Sequence, residues 1–297
     1  MPTQLTADWV RQHLPTRPPN AHKGTFGTLQ IVAGSRRYRG AAALAAEGAL
    51  RAGTGVVQLA AIEPVCAAVA ARLPCCTFLP VAQGPVGGIA AAALPDILAE
   101  KATAVLAGCG MGNTADTAAL VGGLLAQSPH PLVLDADALN ALAAASASRQ
   151  SLFPPLPAGR GEIILTSHIG EMARLCGQST EAILKDQPGI AQSFARRHGC
   201  TVVLKSHVTV VAAPSGALLV NNTAGNAGLA KGGSGDVLAG IIAGLLAQGL
   251  PAQAAAGAGV WLHATAADAA ARETGQAALS PADLPHHLAQ VLLALGH

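Results

Sequence analysis

Gly232, Gly233, Ser234, Gly235 and Asp236 are consecutive within the stretch AKGGSGDVLAG, and an almost wholly apolar run follows them. Glycines free the backbone to turn several N–H groups toward one point. A helix beginning there adds its N-terminal N–H groups and partial positive charge, which suits a phosphate or a developing oxyanion. Asp236, at the helix start, has two readings. Its carboxylate caps helix N–H groups, or it removes a proton from a hydroxyl that attacks a phosphoryl group. The stretch alone leaves both open. It is not a G-x-x-x-x-G-K-[ST] loop, and Asp236 stands where a G-x-S-x-G elbow needs its last glycine.

Four further stretches put chemistry at the ends of apolar runs: LAGCGMGN (106–113), LDADALN (134–140), LTSHIGE (165–171) and LKSHVTV (204–210). In open α/β sheets, ligands sit at the carboxyl ends of the strands. The GCGMGN loop lacks full G-x-G-x-x-G spacing, so it reads as a close-approach loop. Asp135 and Asp137 could hold Mg²⁺, with Asp137 favoured as the cap of a helix starting at Ala138. His168 is a ligand, or a helix cap paired with Glu171. Lys205 meets a phosphate, or snorkels to the surface. His263 and Asp268 fall on different helical faces and imply no metal site. His22 and Lys23 edge a pocket or, the favoured reading, belong to a solvated loop.

The elements that must position these residues alternate. Continuous apolar runs at 28–34, 55–61, 103–108, 131–137, 162–167 and 201–205 predict parallel strands covered on both faces. Alanine-rich segments at 40–52, 88–100, 114–127 and 188–198 predict the helices between them. The rhythm gives an α/β fold with a doubly wound, mainly parallel sheet and helices on both faces. A hairpin turning at Pro214-Ser215-Gly216 follows, then the glycine loop and helices at 236–248, 252–272 and 282–293. Residues 146–161 read as a Pro/Ser/Gly loop. The expectation is a single domain over 21–297 with an N-terminal extension of residues 1–20.

The 297 residues carry a formal net charge of +2, which argues against nucleic acid or anionic membrane as partner. No apolar run reaches the roughly 18 residues of a membrane span. The N-terminus lacks a signal-peptide core. Six cysteines in no metal or redox spacing read as free thiols in a reducing cytoplasm.

Taken in order, HKGTFGTLQIVAGS, GAAALAAEGALRAGTGVVQLA, LTSHIGEMARL, LKSHVTVV and NNTAGNAGLAKGGSGDVLAGIIAGLLAQG resemble the ADP/ATP-dependent NAD(P)H-hydrate dehydratase family over roughly residues 20–293. The resemblance implies the ribokinase-like fold and repair of hydrated NADH and NADPH (NADHX and NADPHX). The ring hydroxyl would be phosphorylated from ADP or ATP, and phosphate would then leave. It implies substrate contacts from Ala41, Gly110, His168 and Asp236. It assigns Lys205, Ser206, His207, Val208, Thr209 and Gly235 to the adenine nucleotide. Gly233, Ser234 and Gly235 would form the anion hole and Asp236 would be the base. Mg²⁺ is implied as the phosphates' partner, with no side chain assigned to it. A homo-oligomer, a tetramer, is implied too, and the epimerase domain that many members carry would be a separate protein. The sequence departs from the family twice: Ser167 and Ile169 replace the prolines of L-T-P-H-P-G-E, and Ser206-His207 replaces Gly-Ala of L-K-G-A. The alternatives are a small-molecule kinase of the same fold, such as a hydroxyethylthiazole kinase, and a nucleotide sensor without catalysis.

Overall fold

A computed structural model describes residues 2–146 and 162–297. Residues 147–161, with nearly all of the expected Pro/Ser/Gly loop, lie outside the described residues. The strands are β1 (Thr3–Gln4), β2 (Thr28–Val32), β3 (Val56–Ile62), β4 (Thr77–Val81), β5 (Ala104–Ala107), β6 (Leu132–Asp135), β7 (Ile163–His168), β8 (Thr201–Lys205), β9 (Thr209–Ala212) and β10 (Leu218–Asn221). The helices are α1 (Ala7–His13), α2 (Arg39–Arg51), α3 (Glu63–Ala70), α4 (Leu94–Ala99), α5 (Ala115–Gln127), α6 (Asp137–Ser146), α7 (Ile169–Cys176), α8 (Thr180–Lys185), α9 (Gln187–His198), α10 (Ser234–Ala247), α11 (Ala252–Thr274) and α12 (Leu284–Ala294).

One ten-stranded sheet runs in the order β1-β10-β9-β8-β7-β6-β5-β2-β3-β4. Its pairs are parallel except β8 with β9 and β9 with β10. The apolar runs of β2, β5 and β6 are buried almost throughout, as strands covered on both faces must be. From β2 the chain winds outward through β3 and β4, then returns to β5 on the other side. The switch point therefore lies between β2 and β5, where an α/β sheet opens a crevice at its carboxyl ends.

Helix α10 is buried on nearly every side, so its sequence needs no polar face. It packs on α2 backbone to backbone. A Cβ on Gly240 would fall 2.0 Å from Ala45 O, so only glycine permits the approach.

Several details differ from the sequence reading. Within the expected N-terminal extension, Thr3–Gln4 add strand β1 to the sheet beside β10, and Leu5 and Val10 are fully buried. Strand β4 was not anticipated. The helix expected over 88–100 is a 3₁₀ turn at Ala91–Ala93 leading into α4, because Pro95 favours a helix start there. No helix among the described residues is long and apolar enough to cross a membrane.

Candidate active site

Strands β5 to β8 are adjacent and parallel, so they deliver their terminal residues to one end of the sheet. Register places Asp135 beside Thr166 and His168 beside Lys205. The Asp135 side chain is 3% exposed. Its Oδ1 accepts hydrogen bonds from Lys205 Nζ at 2.9 Å and Thr166 Oγ1 at 2.7 Å, and its Oδ2 accepts one from Cys109 Sγ at 3.8 Å. A buried carboxylate needs such partners. Burial works against the Lys205 charge, yet Asp135 and Glu171 outweigh it and hold the ammonium above its usual value.

The glycine loop closes over these groups. Gly233 takes φ of 105° at the helix N-cap, and a Cβ there would lie 2.7 Å from Leu44 Cδ1, so both backbone and space call for glycine. Ser234 N–H is committed to Lys231 O at 3.3 Å. The N–H groups of Gly233, Gly235 and Asp236 have no protein acceptor among the described residues. These, not Ser234 N–H, are the donors open to an anion. Ser234 Oγ is buried without a partner.

Asp236 lies in the first turn of α10, and its carboxylate, the Asp135 carboxylate and the Cys109 thiol have ligand atoms within 4.8 Å of one another. Burial, then the like charge of Asp135, lifts Asp236 to about 6, against the pull of Cys109 and Lys205. No side-chain cap bond is made at this helix start. The capping reading of Asp236 therefore has no bond behind it, and burial leaves its carboxyl well above its ordinary value.

Ala41 and Gly110 meet across the switch point: a Cβ on Gly110 would lie 2.8 Å from Ala41 Cβ. Gly34 N donates to Cys109 O at 2.8 Å, and Ser35 Oγ to Gly110 O at 2.9 Å, which ties the β2 loop to the β5 loop. His168 realises the capping arrangement. Its Nδ1 accepts from Gly170 N at 2.9 Å, while Glu171 Oε2 accepts from His168 N at 2.8 Å. Its Nε2 lies 3.4 Å from Glu171 Oε1, and just over half of the side chain is exposed. Burial lifts the Glu171 carboxyl to about 7.

After Lys205 the chain turns sharply. Ser206 Oγ donates to Gln187 Oε1 at 2.8 Å and sits 2.7 Å from Val208 O, and Thr209 Oγ1 donates to Ser206 O at 3.2 Å. His207 is exposed at the turn. Among these residues only Lys205 is shown reaching the acid cluster.

Other expectations are corrected. Asp137 does not serve as a simple cap: its carboxylate accepts Gly112 N–H at 2.7 Å and pins the β5 loop. His263, with no function expected, donates Nε2–H to Ser234 O at 3.0 Å and braces the glycine loop from α11. Burial pushes it down to about 4, so it stays neutral. Asp268 accepts from Gly225 N and Asn226 Nδ2 and shapes the lead-in to that loop. His22 and Lys23 are exposed before the amino end of β2, as expected.

The Cys109, Asp135 and Asp236 trio does not suit Mg²⁺. That ion demands oxygen donors; here one donor is a thiol held protonated by burial, and Asp135 Oδ1 already takes an ammonium and a hydroxyl.

The fold and the crevice at its switch point define a protein of the ribokinase-like class. Residues 29–290 match the family model described as NAD(P)H-hydrate dehydratase, and the chain belongs to that family. An ADP-dependent (S)-NAD(P)H-hydrate dehydratase from Neisseria meningitidis is 40% identical over 265 residues, 88% of this chain and 83% of the relative. A bifunctional NAD(P)H-hydrate repair enzyme from Moorella thermoacetica is 41% identical over 97% of this chain. The chain spans about half the length of the bifunctional relatives, 53% in that case. The ADP/ATP-dependent NAD(P)H-hydrate dehydratase of Bacillus subtilis, co-crystallised with ATP/Mg²⁺, superposes with a TM-score of 0.85 at 31% identity, covering 99% of this chain and 98% of that one.

Proposed function

We propose that the chain dehydrates NADHX and NADPHX back to NADH and NADPH, with ADP or ATP as phosphoryl donor. The observation that carries this reading is the Asp236 carboxylate, held near neutrality beside open N–H groups and the Lys205 ammonium. Asp236 takes the proton of the ring hydroxyl as its oxygen attacks the terminal phosphorus. The bond from that phosphorus to the nucleotide breaks, releasing AMP or ADP. Phosphate then departs with the C–O electron pair, and the neighbouring ring carbon gives up a proton to solvent as its C–H electron pair restores the double bond. The first step exchanges hydroxide, a poor leaving group, for phosphate, a good one.

The Gly233, Gly235 and Asp236 N–H groups spread charge from the transferring phosphoryl. Lys205 adds a positive charge at the same point, oriented by Asp135. Ala41 and Gly110 leave a small-residue wall for the ring, and His168 presents the exposed half of its side chain. The segment Ser206–Thr209 borders the nucleotide. Mg²⁺ would be carried by the nucleotide and would offset phosphate charge; no side chain of this chain is assigned to hold it. All six cysteines are free, which supports a setting in the reducing cytoplasm. Asp236→Asn tests the assignment: nucleotide affinity persists and turnover is lost, whereas normal turnover removes the base from Asp236.

A further inference from the structure

The proposed mechanism gives no task to the buried thiol of Cys109. Cys109 is 0% exposed and sits at the centre of the site. Its backbone is fixed on both sides. Cys109 O accepts Gly34 N–H at 2.8 Å, and Gly110 O accepts the Ser35 hydroxyl at 2.9 Å. Gly108, at φ 123°, lies so close to the end of β6 that an added Cβ would fall 1.9 Å from Asp135 O. A backbone held this way gives the side chain little choice of direction. The Sγ lies 3.8 Å from Asp135 Oδ2 and within 4.8 Å of an Asp236 oxygen.

The chemistry of the thiol is limited. Burial, then the charges of Asp236 and Asp135, push it well above its ordinary value, so it is no nucleophile. A protonated thiol is instead a weak donor. Two carboxylates converge on it, with Lys205 as the neighbouring ammonium.

We propose that Cys109 is a positioning residue for this reaction: its S–H, shared between the Asp135 and Asp236 carboxylates, keeps Asp236 ionised and turned toward the substrate hydroxyl. The inference rests on Asp236 being the base. The groups facing Asp236 are Cys109 from the β5 loop, Asp135 from the end of β6, Asp137 from α6 and Lys205 from β8. Glu171 on α7 stands behind Lys205, and neutral His263 on α11 lies behind Ser234. Cys109 and Lys205 are the groups here that favour the ionised base, and Asp135 and Asp137 oppose it.

The test is the pH profile of kcat/KM in wild type, Cys109→Ala and Cys109→Ser. Removing the donor raises the acid limb by about one pH unit, an approximately tenfold loss well below the limb and little above it. Serine restores a donor and returns the limb to the wild-type position or below it. Limbs that coincide in wild type and Cys109→Ala, or that shift equally in Ala and Ser, overturn the proposal. A second readout needs no turnover: the infrared S–H stretching band of Cys109, identified by its loss in Cys109→Ala. It moves to higher frequency in Asp236→Asn, where the acceptor is weaker; an unmoved band overturns the proposal. Absence of turnover in wild type would instead remove the dehydratase reading, while the infrared result would still stand.

Discussion

A methyl group placed on Gly235 would lie 3.5 Å from Lys205 Nζ, an ordinary contact, with nothing else nearer than Asp135 Oδ2 at 3.9 Å. Glycine is therefore not needed there to fold the chain, in contrast to Gly233. The missing side chain leaves the head of α10 open toward the Lys205 ammonium. Gly235→Ala should raise stability by about 0.5–1 kcal/mol, the usual gain in a helix, and weaken nucleotide binding at least tenfold. Thermal denaturation and equilibrium binding check the two halves. Gly233→Ala should do the opposite to stability and lower it, because its φ of 105° and the Leu44 contact both resist a side chain.

Breaking the Lys205–Asp135 pair leaves a buried carboxylate without its cation. Lys205→Met should destabilise the fold by about 3 kcal/mol and abolish turnover. The double variant Lys205→Met with Asp135→Asn should recover much of the stability and none of the activity. Chemical denaturation and turnover separate structural pairing from phosphate binding. Equal losses of stability in the single and double variants would contradict the pairing.

The Asp236 value of about 6 fixes a sign for the pH dependence. A base must be ionised, so kcat/KM should be constant above neutrality and fall about tenfold per unit once pH drops well below about 6. A profile that rises on acidification would assign the proton transfer to an acid instead.

Glu171 gives a pH dependence of stability. Its folded value of about 7 lies above its ordinary 4.5, so between these values the native state binds more protons than the unfolded one. Stability from this group is therefore full below about 4.5 and falls as pH rises toward about 7. Glu171→Gln keeps an oxygen for His168 N–H and removes the buried charge. It should exceed wild type in stability by roughly 1–3 kcal/mol at about pH 8 and match it near pH 4. Denaturant melts at the two pH values measure this.

Much of the fold is legible along the chain because buried parallel strands announce themselves as unbroken apolar runs; β2, β3 and β5 to β8 all lie where such runs stand. Strand β4, TFLPV, is hidden by Pro80, which argues against a central strand but is tolerated at the sheet edge that β4 occupies. Strand β1 is two residues long and carries no period. In the site, Asp236, Gly235, His168 and Lys205 stand at strand or helix ends where chemistry is expected. The contacts that support them are not legible in this way. Cys109 reaches Asp135 across 26 residues, His263 reaches Ser234 across 29, and Asp268 holds Gly225 across 43. Such contacts depend on how the strands and helices are stacked, and no local spacing encodes them. Asp137 illustrates the ambiguity: a carboxylate at a helix start reads as a cap, yet here the neighbouring loop supplies the N–H.

The most direct measurement is the absorbance of the reduced nicotinamide in a cuvette holding the protein, NADHX and Mg²⁺, with ADP, with ATP, or with no nucleotide. The account predicts a rise that requires a nucleotide and is accompanied by release of one phosphate per NADH formed. A flat trace with either nucleotide, in protein shown to bind them, would contradict it.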